Sequence, residues 1–184
     1  MKQAATILGR NDRGVAAVEF ALIFPLLMTF LLGSFEVVRY IIVNQKIDHV
    51  AYTVADVVGQ EESITRAQIT DIMSAATEIM DPFGFGQDGI VIISSIEQDP
   101  TEGPIVRWQV TGGGTLDKDS RLGLEDDVAD MPATLTLNDN ENVIVAEVFY
   151  NYTPAFSEDY FSTRENYKYA VFKPRYGSLT TAPN

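Results

Sequence analysis

The feature that most limits what this chain can become is an unbroken apolar run, VAAVEFALIFPLLMTFLLGSFEVV, from Val15 to Val38. At about 1.5 Å per residue, a helix over these 24 positions covers the roughly 30 Å hydrocarbon core of a bilayer. The flank before it holds Lys2, Arg10 and Arg13 against one acid, Asp12. Positive charge beside a span stays in the cytoplasm, so the N-terminus is expected inside and the remainder of the chain outside. A secretory signal has a shorter apolar core that ends at a small-residue cleavage site. Here the run flows on into Arg39-Tyr40-Ile41-Ile42-Val43, so removal of the whole segment is not expected.

Two residues are unusual in such a run. Glu19 is a carboxylate at membrane depth, where an acid needs a partner or partial hydration. Pro25 removes one helical hydrogen bond and crowds the preceding turn, which predicts a kink or local opening there. Gly33 and Ser34 read as small packing residues, and Glu36 with Arg39 reads as a local charge pair at the outer interface.

Past the run, Tyr40, Val43, Ile47, Val50, Ala51, Val54 and Val58 recur every three or four positions. That is one buried helical face, so the first helix should continue to about Val58, with a membrane half at 15–38 and an amphipathic half at 39–58. Gly59 should end it. Thr65-Arg-Ala-Gln68 has the form of a capping box, with Ile64 and Ile69 placed as its hydrophobic staple. A second helix follows, with an apolar stripe of Ile69, Ile72, Met73, Ala76, Ile79 and Met80 that ends before Asp81-Pro82. After the glycine-spaced turn to Gly89, strand-like runs appear at 90–96, 105–110, 143–152 and 167–172. In Val143–Tyr152, alternation puts Ile144, Ala146, Val148, Tyr150 and Tyr152 on the face expected to be core. The aromatics from Phe149 to Tyr176 are expected to pack in that core, with the tyrosines around Thr153–Asn166 as the alternative contact surface. The expected fold is therefore α+β: a long transmembrane helix and a second helix packed on a small, mainly antiparallel four-stranded sheet.

Composition removes several functions. The chain has 26 acidic and 13 basic residues, a net charge of −13, so its surface should repel nucleic acid. It has no cysteine and one histidine, His49, which rules out thiol nucleophiles, thiolate zinc sites, histidine triads and multi-histidine metal centres within one copy. His49 itself reads as a residue at the solvent edge. The stretch from about 112 to 142 opens with Gly112-Gly113-Gly114 and is rich in acid, and it reads as a surface loop. Asp117, Asp119, Glu125, Asp126, Asp127 and Asp130 lack EF-hand spacing, since Arg121 stands at the next alternate position, so solvated charge explains them better than calcium. The acids also fall into no spacing that selects a catalytic pair. Neither a catalytic residue, a metal site nor a cofactor is expected.

The segment Arg13-Gly14-Val-Ala-Ala-Val-Glu19-Phe20-Ala21-Leu22 resembles the processing site of prepilins of the Flp and TadE-like class. In the C-terminal half, Val143-Ile-Val-Ala-Glu-Val-Phe-Tyr-Asn-Tyr-Thr-Pro154 and Lys173-Pro174-Arg175-Tyr176 are similar to the late strand and the ending of TadE-like and TadG-like proteins. The middle, about Gly59 to Asn142, carries no such motif. The resemblance implies a pilin-like minor subunit or pseudopilin of a tight-adherence (Flp-type) pilus, with residues 1–14 as a leader cut after Gly14 by a prepilin peptidase. Val15 would become the mature N-terminus, and Glu19, with Phe20 beside it, would register subunits by pairing with a neighbour's new α-amino group. Pro25 would help the helix leave the bilayer. The partners implied are the peptidase, other pilins and pseudopilins, the Tad inner-membrane assembly platform and the bilayer. The implied place is the bacterial inner membrane, with residues 59–184 forming a periplasmic domain that can end in an extracellular pilus. The other reading is an uncleaved, membrane-anchored binding or scaffold protein of the same apparatus.

Overall fold

The computed structural model describes residues 12–132, 135–156 and 163–184, with side chains from Gly14 onward. The order of elements is α1 (Asp12–Gly59), α2 (Arg66–Met80), β1 (Gly89–Asp99), β2 (Gly103–Gly112), β3 (Asn142–Tyr152) and β4 (Arg164–Phe172). The chain falls into two compact units that divide between Arg39 and Tyr40. Lys2 and Arg10, the Arg13 side chain and the aromatics Tyr160 and Phe161 lie outside the described residues.

In the second unit, one antiparallel sheet has the strand order β2-β1-β3-β4. The face formed by Ile144, Ala146, Val148, Tyr150 and Tyr152 is buried in the main core, together with Val43, Ile47, Val50, Ala51, Val54 and Val58 of α1. The three-to-four spacing of those α1 residues is therefore the contact stripe itself, and each valine or isoleucine in it contributes about 1.5–3 kcal/mol on burial. His49, off that stripe, is exposed.

The start of α2 follows from its sequence. The Thr65 hydroxyl accepts from the Gln68 N–H while the Gln68 side chain accepts from the Thr65 N–H, which closes the capping box. Ile64 and Ile69 are both buried. Ile69, Met73, Ala76 and Met80 form the buried stripe. At its other end α2 has no basic residue of its own, and Lys46 of α1 supplies one by donating to the Ile79 carbonyl at 2.7 Å. A cation there satisfies a terminal carbonyl and opposes the helix dipole.

Gly112-Gly113-Gly114 is a close-packed crossing as well as the start of a loop. A Cβ at Gly112 would stand 2.6 Å from the Met73 sulfur, and Gly113, at φ +74, has the Met73 carbonyl oxygen 2.8 Å from its Cβ position. The chain then pairs with the turn before β1, through Thr115 N–H to the Gly86 carbonyl and Leu116 N–H to the Gly89 carbonyl.

The acidic segment covers the second face of the sheet. Its Leu122 and Ala129 are buried against Ile96, Val106, Val143 and Val145, while Leu116 packs on Ile90, Ile92 and Phe149. The carboxylates Asp117, Asp119, Glu125, Asp126, Asp127 and Asp130 are all exposed. The loop therefore turns Leu116, Leu122 and Ala129 inward and its acids outward, while Leu124 and Val128 stay exposed. Asp126 and Ala129 donate backbone hydrogen bonds to Val106 and Pro104, and Val106 donates to Asp127, so this ribbon also pairs with the outer edge of β2. Covering an edge in this way blocks unwanted strand addition there.

Candidate assembly helix and its anchorage

In the first unit, every residue of α1 from Gly14 to Phe35 is exposed. Val18 is 62% exposed, Phe20 61%, Leu22 75% and Phe30 68%. The apolar segment is long and apolar enough to cross a membrane, and none of the described residues covers it. A helix that is apolar all round belongs in lipid or in a protein interior, because uncovered apolar surface of that extent is unfavourable in water.

Gly14, Val15, Glu19, Phe20 and Pro25 all sit on this helix, which is continuous through Pro25. A Cβ at Gly14 would meet nothing within 4 Å, and the same is true of Gly33, so packing among the described residues requires neither glycine. In a helix, glycine costs about 1 kcal/mol relative to alanine. Glu19 is exposed, and among the described residues no side chain pairs with it. Phe20 and Phe24 lie along one face with their rings tilted by 39° and ring centroids 5.4 Å apart. Pro25 has no N–H to give the preceding turn. Its own carbonyl accepts from the Thr29 hydroxyl at 2.9 Å, and the Ser34 hydroxyl donates to Leu31 in the same manner.

In the second unit, the α1 residues from Tyr40 to Gly59 are fastened to β4 and the segment after it. The Tyr40 hydroxyl donates to Asn166 Oδ1 at 2.9 Å. Asp48, Tyr52 and Asp56, spaced four apart on one helical face, meet Lys168, Phe172 and Arg175 in order. The first contact is a loose ion pair at 3.9 Å, the second an edge-on ring contact at 5.6 Å and the third a close ion pair at 2.5 Å. The Arg175 N–H also donates to the Gly59 carbonyl at 2.8 Å, satisfying one of the open carbonyls at the end of α1. Lys173 pairs with Glu141 just before β3. The Asn138 N–H, followed by the Lys173 and Asn138 side chains, holds the Glu141 carboxyl down at about 2. The ending Lys173-Pro174-Arg175 is thus a clamp on the end of α1 and the start of β3.

Sequence reasoning missed two structural residues, Glu147 and Leu179. Glu147 is fully buried on the second face and accepts from the Ser120 hydroxyl, the Arg121 N–H at 3.0 Å and the Tyr167 hydroxyl at 2.8 Å. Burial, then the charge of Glu147, push the Tyr167 phenol well above its usual range. The Arg121 guanidinium lies 4.0 Å over the Tyr167 ring and pairs with Glu165. In the tail, Leu179 is buried; its carbonyl accepts from Trp108 Nε1 at 2.6 Å and the Ser95 hydroxyl at 2.7 Å, and its N–H donates to Asn142 Oδ1. Glu147 stood out only as an acid in an apolar strand, whereas a lone leucine in a polar tail gave no signal. Among the described residues, no group of three or more histidine, cysteine or acidic side chains converges as a metal site.

Comparison with curated proteins and with solved structures gives no match. Comparison with protein families gives one for residues 14–56, the family described as TadE-like protein. The matched segment begins at Gly14, includes Glu19, Phe20 and Pro25, and ends at Asp56, the residue that Arg175 grips. Residues 14–56, most of the long first helix, are thus similar to the TadE-like protein family, and the match covers no other part of the chain.

Proposed function

We propose that this chain is a minor pilin or pseudopilin, a structural subunit that serves the assembly, initiation or tip of a Flp-type pilus. The observation that carries the reading is the first unit of α1. It is an uncovered, largely apolar helix whose single carboxylate between Gly14 and Phe35, Glu19, stands five residues after a glycine that packing among the described residues does not require. In this reading a prepilin peptidase cuts after Gly14, and Val15 becomes the mature N-terminus. The subunit waits in the inner membrane with residues 1–14 cytoplasmic and the sheet domain periplasmic. The new α-amino group and Glu19 of a neighbouring subunit then offset part of each other's desolvation, which sets the register between subunits. Pro25 supplies a weakened turn that lets the helix adapt as it leaves the bilayer. The work is mechanical rather than catalytic, and its partners are other pilins and the assembly platform.

Mass measurement of the membrane-inserted and exported forms tests the processing step. The expected product begins at Val15; an intact Met1–Gly14 segment on the functional protein would instead favour the uncleaved anchored scaffold. Glu19→Ala is expected to leave processing in place and to impair piliation, and normal piliation in that variant would remove the registration role.

A further inference from the structure

A notch of about 230 Å³ opens on the second unit, lined by Tyr40, Ile41, Asn44, Gln45 and Asp48 of α1 and by Lys168 of β4. Its lining changes character along α1. At one end are Ile41 and the Tyr40 ring; one turn on come the amides of Asn44 and Gln45; at the far end stand the charges of Asp48 and Lys168. The carboxylate and ammonium are 3.9 Å apart, the loose limit of an ion pair, and their side chains are 50% and 39% exposed, so each can take another partner. The Tyr40 hydroxyl is tied to Asn166 and the Asn44 amide nitrogen to the Tyr40 carbonyl, which fixes the inner wall.

Position gives the notch its meaning. Ile41 and Ile42 are 49% and 39% exposed, so the apolar surface of α1 persists a few residues beyond Val38 and then gives way to amides and charge. Headgroup layers add about 5–8 Å to each side of the hydrocarbon core, about four or five residues of helix. Counted from Ile42, where that exposed apolar surface ends, Asn44 and Gln45 fall within this layer if α1 spans the bilayer. An apolar, then amide, then charged lining follows the order of groups in a phospholipid, from acyl chain through ester carbonyl to phosphate and ammonium. The charges are one of each sign, and the chain as a whole is at −13, so an anionic headgroup gains little there.

We propose that this notch binds the headgroup of a zwitterionic phospholipid that carries a primary ammonium, phosphatidylethanolamine. Lys168 takes the phosphate, Asp48 accepts from the ammonium, and the Asn44 and Gln45 amides face the ester region. The trimethylated ammonium of phosphatidylcholine has no N–H to donate to Asp48, which gives the site its selectivity. The proposal rests on the reading that α1 is a membrane span.

The test places the full chain in nanodiscs of equal parts phosphatidylethanolamine, phosphatidylcholine and phosphatidylglycerol, and identifies the lipid retained on release by native mass spectrometry. Enrichment of the ethanolamine lipid by about fivefold over bulk is expected, the upper end for one exposed charge pair. Lys168→Gln and Asp48→Asn should each bring it back toward the bulk ratio, with helical circular dichroism unchanged. Retention in bulk proportion, enrichment of the glycerol lipid, or enrichment that survives both variants overturns the proposal. Glycerophosphoethanolamine added to the detergent-held chain separates the two sources of this chemistry. A saturable shift of the Asn44 and Gln45 amide resonances would assign the notch to a free headgroup compound and overturn the lipid assignment, and no shift supports it. Vesicle co-flotation separates the two readings: failure to float overturns the span and the notch together, whereas floating without ethanolamine preference overturns the notch alone.

Discussion

Gly114 passes so close to Gly89 that a Cβ on Gly114 would stand 2.0 Å from the Gly89 carbonyl oxygen. Backbone, unlike a flexible side chain, cannot step aside cheaply. Gly114→Ala should destabilise the second unit by about 3 kcal/mol, the upper end for an overpacked site. Urea denaturation of the detergent-held chain, followed by circular dichroism, measures it. Gly84→Ala is the control, since a Cβ there meets nothing within 4 Å, and its midpoint should stay near that of the parent chain.

Arg175 holds α1 by two different atoms, and one substitution separates them. Arg175→Ala removes the ion pair to Asp56 but keeps the backbone bond to Gly59. Both ion-pair side chains are about a third or more exposed, so the global cost should be no more than about 1 kcal/mol. The local effect should be plainer: amide hydrogen exchange in the last turn of α1, at Ala55–Gly59, should quicken while exchange in β1 and β3 stays unchanged.

Glu147 gathers three donors in a site closed to water. Glu147→Ala would strand the Ser120 hydroxyl, the Arg121 N–H and the Tyr167 hydroxyl, and should cost about 3 kcal/mol or more. Limited proteolysis offers a second readout, with new cleavage expected in the 116–131 segment that these bonds hold against the sheet. Glu147→Gln keeps the shape and one acceptor oxygen, so it should lie between the parent and the alanine variant on both measures.

Glu141 makes the clamp sensitive to acid. Its folded-state value, about 2, is below the ordinary 4.5, so its contribution is present above pH 4.5 and is lost as pH falls from 4.5 toward 2. Asp99, lowered chiefly by the Thr101 hydroxyl, and Glu165, lowered chiefly by Lys118, act in the same direction. Thermal unfolding across that window should show falling stability. Glu141→Gln should be the less stable protein at pH 6, and the two curves should converge near pH 2. Tyr167 works at the other extreme: its raised phenol contributes stability that is lost as pH climbs above 10.

Much of this architecture could be read from the chain because its signals are periodic. The α1 stripe from Val43 to Val58, the box at Thr65 and Gln68 and the four strands each repeat a local rule several times, and packing obeyed it. The second face of the sheet was illegible for the opposite reason. Its cover consists of single apolar residues, Leu116, Leu122, Ala129 and Met131, scattered among acids with no period. A strand face with Glu147 at its centre reads as solvated until a loop is seen lying over it. Gly112-Gly113-Gly114 was misleading in a similar way, since glycines that allow a close crossing look the same as glycines that make a loop supple. Gly14 and Glu19 stood out in the sequence, and the fold adds that neither packs against another of the described residues outside its own helix.

The tail contact at Leu179 has a practical consequence. The chain has a single tryptophan, and Trp108 is buried with its indole nitrogen bonded to the Leu179 carbonyl. Its emission colour therefore follows whether the last stretch of chain is seated. A red shift without loss of helical signal would mark undocking of residues 176–184 alone, so the molecule carries its own gauge for that step and needs no attached dye.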